Sequence, residues 1–141
     1  MTIANRRRQS AVRRTVAPSG LADARTCYDH LAGRLGVGIA DVLIARGHIV
    51  LAGDDAAITN SGRQFFEALG VDPAAVPGRR PCCRACLDWT ERRPHLAGKL
   101  GSALAQQFLA RGLIERQRGS RALTVTPAGR RRLFEIFGLE F

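Results

Sequence analysis

The sequence predicts an α+β fold, mostly helical, in which one supersecondary unit is used twice. Residues 43–70 read LIARGHIVLAGDDAAITNSGRQFFEALG, and residues 108–138 read FLARGLIERQRGSRALTVTPAGRRRLFEIFG. In both, an apolar helix end runs into Ala-Arg-Gly and then a β-like stretch. A polar turn, a second β-like stretch ending in Thr, a Gly-Arg pair and an amphipathic helix follow. Gly47 matches Gly112, Thr59 matches Thr126, and Gly62-Arg63 matches Gly129-Arg130. Units repeated in this way bury their apolar faces against one another. The second observation is size: 141 residues, 45% hydrophobic, suffice for one compact core. Helix, two-stranded wing and helix in that order form the ending of a winged helix-turn-helix. The chain therefore reads as tandem winged-helix-like units, 21–70 and 95–138, in a single compact domain over 21–141. A Cys-containing loop (71–94) joins them, and a disordered basic arm (1–20) precedes them.

Each element has a local reason. Cys27, Leu31, Leu35, Ile39 and Val42 recur every three to four residues, which predicts helix from Ala24 to Ala45, whole or jointed near Gly36-Val37-Gly38. Gly47 closes it. His48–Leu51 and Ala57–Thr59 are short strands around Gly53-Asp54-Asp55. Thr59 is an N-cap for helix 60–69, with Phe65, Phe66 and Leu69 inward. Residues 71–80 are a Pro/Gly-rich loop. Helix 95–111 buries Leu96, Leu100, Ala103, Leu104 and Phe108, and a second wing runs over 113–117 and 122–126. Thr126-Pro127 is an N-cap followed by Pro at the first helical position, opening helix 127–137. Gly33, Gly36, Gly98 and Gly101 fall inside these helices, where each costs about 1 kcal/mol against Ala, so they signal close helix–helix approach.

No apolar run nears the roughly 20 residues of a membrane span. The first 20 residues lack the apolar segment of a secretory signal, so a cytoplasmic location is expected. Net charge is +10, unevenly spread. Five arginines and no acid lie in residues 1–20; seven arginines and one acid, Glu115, lie in 111–132. Lys99 is the sole lysine among 22 basic residues. Arginine suits bidentate phosphate contacts, so DNA is the expected partner. Arg116, Arg118 and Arg121 on the second wing, with Arg130 and Arg131 on the last helix, are the candidate DNA contacts. The helices before the two wings offer few side chains that reach base edges: Arg34 and Asp41 in one, Lys99, Ser102, Gln106 and Gln107 in the other. Contact is therefore expected with phosphates rather than bases.

The thiols are the other candidate chemistry. Cys83-x-x-Cys86 has metal-ligand spacing, and Cys27 lies three residues from His30, on one face of the expected helix. Cys27, Cys83 and Cys86, with His30 or His95 as an alternative ligand, could hold tetrahedral zinc or trigonal arsenite. Equally, the cysteines could be small buried hydrophobes, with the loop fixed by burial of Trp89. Ser102, Ser120, His48 and the scattered acids form no nucleophile–base pattern, so the chain does not read as an enzyme.

Two blocks resemble a known family. Ala24-Arg25-Thr26-Cys27-Tyr28-Asp29-His30-Leu31-Ala32-Gly33-Arg34-Leu35-Gly36-Val37 resembles the segment after the first winged helix in a branch of ArsR-type transcriptional regulators. Cys83-Arg84-Ala85-Cys86-Leu87-Asp88-Trp89-Thr90-Glu91-Arg92-Arg93-Pro94-His95-Leu96-Ala97-Gly98 resembles the middle of the same C-terminal half. The resemblance covers about residues 22–138. Those regulators carry an N-terminal winged helix that supplies DNA recognition and dimerisation, and this sequence has only the arginine arm before Ala24. The resemblance implies a regulator-like protein but carries over no DNA-reading residue; the chain is accordingly expected to be a DNA-associated transcriptional regulator and a homodimer. The alternative is a thiol-based metal- or metalloid-sensing or dimerisation module without its own reading helix.

Overall fold

The computed structural model describes residues 20–141, so the expected basic arm lies, but for Gly20, outside the described residues. In chain order the elements are β1 (Arg25–Cys27), β2 (His30–Ala32), α1 (Gly33–Ala45), β3 (Ile49–Ala52), β4 (Asp55–Ile58), α2 (Asn60–Leu69) and a 3-10 turn (Pro73–Ala75). Then follow β5 (Arg84–Leu87), β6 (Pro94–Ala97), α3 (Gly98–Ala110), β7 (Ile114–Arg116), β8 (Leu123–Val125) and α4 (Pro127–Phe137). The fold is α+β, with helix, hairpin and helix occurring in both halves.

The repeated unit is longer than expected, because each half opens with a hairpin of its own. Residues 25–32, expected as helix, are β1 and β2, paired Arg25↔Ala32 to Cys27↔His30. The apolar spacing there fits a helix, but Tyr28 at φ 62° and Gly33 at φ 73° break it on either side of β2. The expected loop 71–94 contains β5, and the helix expected from His95 begins only at Gly98. Strands of three or four residues carry too little periodicity to be told from helix or loop; their partners decide them. Every α-helix among the described residues directly follows a strand.

The two halves exchange these opening hairpins. Asp55 on β4 pairs with Arg84 on β5, making a four-stranded sheet in the order β3-β4-β5-β6. On the other side Arg25 bridges to Ala122, the Thr26 N–H donates to the Arg121 carbonyl at 2.9 Å, and the Leu123 N–H donates to the Ala24 carbonyl at 2.9 Å. Each hairpin thus borders the other half's wing. α1 packs on β6 and α3 packs on β2. Gly36 and Gly101 serve this helix–strand packing rather than helix–helix approach, while Gly33 and Gly98 open their helices at φ 73° and 78°. A Cβ on Gly36 would stand 2.3 Å from the Leu31 carbonyl oxygen and 3.3 Å from His95 Cβ. One on Gly101 would stand 2.3 Å from the Leu96 oxygen and 2.9 Å from His30 Cβ.

The shared core contains Leu35, Ile39 and Leu43 of α1, Leu100, Leu104 and Phe108 of α3, Phe66 of α2, and Leu133 and Phe137 of α4. Both expected N-caps form. Thr59 Oγ1 accepts from the Gly62 N–H at 3.1 Å, and Thr126 Oγ1 accepts from the Gly129 N–H at 2.9 Å while donating to the Gly112 carbonyl at 2.6 Å. Replacing Thr126 by Ala removes both bonds. The expected loss is about 1 kcal/mol, read as a lower urea midpoint with an unchanged slope, and a variant as stable as the parent would contradict the cap's role.

Candidate metal centre and basic surface

The exchanged hairpins meet at four side chains. Cys27 faces His30 across β1–β2, and Cys86 faces His95 across β5–β6. One ligand atom from each of these four residues lies within 4.8 Å of all the others. The His30 and His95 rings are 4.9 Å apart between centroids. Both histidines are buried, and the two cysteines are half-buried. The spacing of Cys27 and His30 therefore reflects a directly opposed cross-strand pair, not one face of a helix.

Cys83 is not brought into this group. It stands one residue before β5, outside the strand that carries Cys86. Its side chain joins the hydrophobic core. Burial, with Cys82 beside it, pushes its thiol up to about 12. The Cys-x-x-Cys spacing thus supplies one member of the cluster, Cys86, and the first half supplies the other thiol, Cys27.

The imidazoles are set up as neutral groups. Burial is the first cause holding His30 down at about 4, aided by the neighbouring His95. Burial likewise lowers His95, against the pull of Asp88. His95 Nδ1 lies 3.0 Å from Asp88 Oδ1. A carboxylate only accepts, so Nδ1 carries the proton and Nε2 keeps its lone pair. Nε2 of both histidines is buried without a hydrogen-bond partner among the described residues. Burial raises the Cys86 thiol, and Cys27 beside it adds to the rise.

Asp88 is the organising residue, and its role is not visible in the sequence. It is fully buried. Its Oδ1 accepts from Arg25 Nη2 at 2.8 Å, from the Gly33 N–H at 2.7 Å and from His95. Its Oδ2 accepts from the Thr90 N–H at 3.1 Å, Thr90 Oγ1 at 2.7 Å and the Glu91 N–H at 2.9 Å. Burial alone would raise its pKa. The bonds from Thr90, Gly33 and Glu91, with the Arg25 charge, outweigh that and hold the carboxyl well below the usual carboxylate range. Asp88 therefore ties the 88–93 loop to β1, to the start of α1 and to His95. Trp89, whose burial is the alternative to a metal for fixing this loop, is 57% exposed. One ring face is covered by the Arg25 guanidinium, 4.3 Å from its centroid.

The candidate DNA contacts lie on the second half's surface. Arg116 ends β7, Arg118 and Arg121 flank the wing turn, and Arg130 and Arg131 stand in the first turns of α4. All five are exposed. None joins an ion pair among the described residues, whereas Arg132 pairs with Glu135 at 3.1 Å. The helices before the wings are not open reading surfaces. Gly98, Phe108 and everything from Leu100 to Ala105 are buried in α3, and Gln107 donates to the Leu69 carbonyl at 2.9 Å. No helix among the described residues is long and apolar enough to cross a membrane.

These features describe an α+β protein with a Cys/His cluster where two of its hairpins meet and five exposed arginines on β7, the turn after it and α4. The chain is similar to a Bacillus subtilis (strain 168) protein named "Uncharacterized HTH-type transcriptional regulator YdfF", at 41% identity over 108 residues. The match takes in 76% of this chain and 48% of the relative, so the chain spans about half the length of the curated relative it matches. No family model and no solved structure matches the chain.

Proposed function

We propose that the chain acts in transcriptional regulation as a DNA-associated, non-enzymatic protein of the ArsR-like class, built from winged-helix-like units and working as a homodimer. It touches DNA through phosphates, using the basic arm together with Arg116, Arg118, Arg121, Arg130 and Arg131. The observation that carries this reading is the set of five exposed arginines, without acidic partners among the described residues, on the β7–β8 hairpin and its following helix. The similarity to a protein named as an HTH-type transcriptional regulator supports it.

The test is the salt dependence of binding to a random-sequence duplex, followed by fluorescence anisotropy. Each phosphate contact adds about 0.9 to the slope of log K against log salt. Replacing Arg116, Arg118 and Arg121 together by Ala is expected to weaken binding to all duplexes alike and to lower the slope by up to about 2.7. A preference of about a thousandfold for one duplex over random DNA at fixed salt, the scale of specific readout, would overturn the phosphate-only reading.

A second reading is favoured by the burial of α3 and by the Cys/His cluster. The chain would then be a thiol-based metal-responsive or dimerisation module without its own reading helix. Absence of binding to random DNA at low salt, in protein that retains its fold, would select this reading over the first.

A further inference from the structure

We propose that Cys27, His30, Cys86 and His95 form a tetrahedral zinc site that locks the two halves of the molecule together. This deepens the second reading above and names its ligand.

Three independent observations converge on it. The first is the donor set: two sulfurs and two imidazole nitrogens, one of each from either hairpin, within 4.8 Å of one another. Tetrahedral zinc with bonds of about 2.0–2.1 Å to nitrogen and 2.3 Å to sulfur places its ligand atoms roughly 3.3–3.8 Å apart, so side-chain shifts of about 1 Å close the set. The second is the pair of buried, unpartnered Nε2 atoms on His30 and His95. Buried ring nitrogens are rarely left without a partner, and a metal ion would satisfy both lone pairs at once. The third is the outer contact. Asp88 holds His95 by Nδ1 at 3.0 Å, the carboxylate–histidine arrangement that orients a ligating imidazole and frees Nε2. Asp29 Oδ1 lies 3.8 Å from His30 Nδ1, a looser version of the same arrangement, with Arg80 Nη1 holding the other Asp29 oxygen at 2.6 Å.

The chemistry favours zinc over a trigonal metalloid. Two thiols converge, and Cys83, which would be the third, is in the core. A tetrahedral S2N2 set suits zinc. On uptake the two thiols each lose a proton to solvent, and two thiolates with one Zn²⁺ make a neutral complex fit for a buried place. Because each half donates one Cys and one His, the ion would cross-link two hairpins that lie far apart in sequence.

The experiment uses the full chain, purified under reducing conditions without chelator. Elemental analysis is expected to find about one zinc per chain. After stripping and titration with Co²⁺ alone, the spectrum is expected to show the intense visible bands of tetrahedral cobalt and a thiolate-to-cobalt charge-transfer band. Cys27→Ser and Cys86→Ser should lose that band, His95→Gln should weaken it, and Cys83→Ala should keep it. Zinc at trace level together with a weak, octahedral cobalt spectrum from the folded parent chain would overturn the proposal without reference to any variant. So would loss of the charge-transfer band in Cys83→Ala but not in Cys27→Ser. DNA affinity is measured separately, so a chain that binds zinc but not DNA sinks only the phosphate-contact reading, and the reverse result sinks only the zinc site.

Discussion

Replacing Asp88 by Ala is expected to destabilise the chain by about 3–5 kcal/mol, the loss typical of breaking a buried ion pair from one side. The substitution leaves the Arg25 guanidinium fully buried and without its counter-charge. It also strips hydrogen-bond partners from the Gly33, Thr90 and Glu91 N–H groups and from His95 Nδ1. Asn is not expected to rescue the site. Each carboxylate oxygen accepts from three donors, so in either orientation the amide would turn its own N–H groups towards donors. Removing the charge on both sides, with Arg25→Met added to Asp88→Ala, is expected to recover part of the loss. The sign with pH follows from the depressed Asp88 pKa. Its contribution is fully present above the unfolded value near 3.9 and fades as pH falls below it. Urea titrations at neutral pH decide the matter, and an Asp88→Ala variant within about 1 kcal/mol of the parent would show that the network does not organise the loop.

Gly101→Ala should also destabilise the chain, and here two effects oppose each other. Ala in a helix interior gains about 1 kcal/mol over Gly. Against that, the new Cβ would stand 2.3 Å from the Leu96 carbonyl oxygen and 2.9 Å from His30 Cβ. The closest neighbour is backbone, which cannot rotate aside, so α3 must lift off the strand beside it. Overpacking that shifts backbone typically costs about 1–3 kcal/mol, so with the helix gain set against it a net loss of up to about 2 kcal/mol is expected. Gly36→Ala, at 2.3 Å from the Leu31 oxygen, should behave alike. Thermal or urea unfolding of both variants reads the effect, and a neutral or stabilising result would mean that the close packing of helix on strand is not required.

Part of this molecule was legible in its residues. The Thr59 and Thr126 caps, the boundaries of α2 and α4, and both wings follow from local chemistry: a hydroxyl ahead of an apolar helix face, Pro at the first helical position, polar turns between β-like stretches. Such signals act over a few residues and need no partner. A longer repeat was also present. His30-Leu31-Ala32-Gly33-Arg34-Leu35-Gly36 recurs as His95-Leu96-Ala97-Gly98-Lys99-Leu100-Gly101, and Arg25-Thr26-Cys27 as Arg84-Ala85-Cys86. Read as helix and loop, these segments hid the symmetry of the cluster. The Cys-x-x-Cys spacing points to Cys83 as a ligand, although its side chain lies in the hydrophobic core apart from Cys86.

By itself, then, the sequence determined the mixed fold class, the helix caps and the arginine-rich stretch 111–132, because each depends on neighbours within a few positions. Only the tertiary structure decided that the opening hairpins cross to the other half's wing, that Asp88 rather than Trp89 ties down its loop, and that Cys27, His30, Cys86 and His95 converge. Strands of three or four residues have no periodicity strong enough to declare themselves. Their identity comes from a cross-strand partner within the same hairpin and from pairing with the other half, Asp55 with Arg84 and Arg25 with Ala122, and the second kind of partner exists only once both halves have folded against each other.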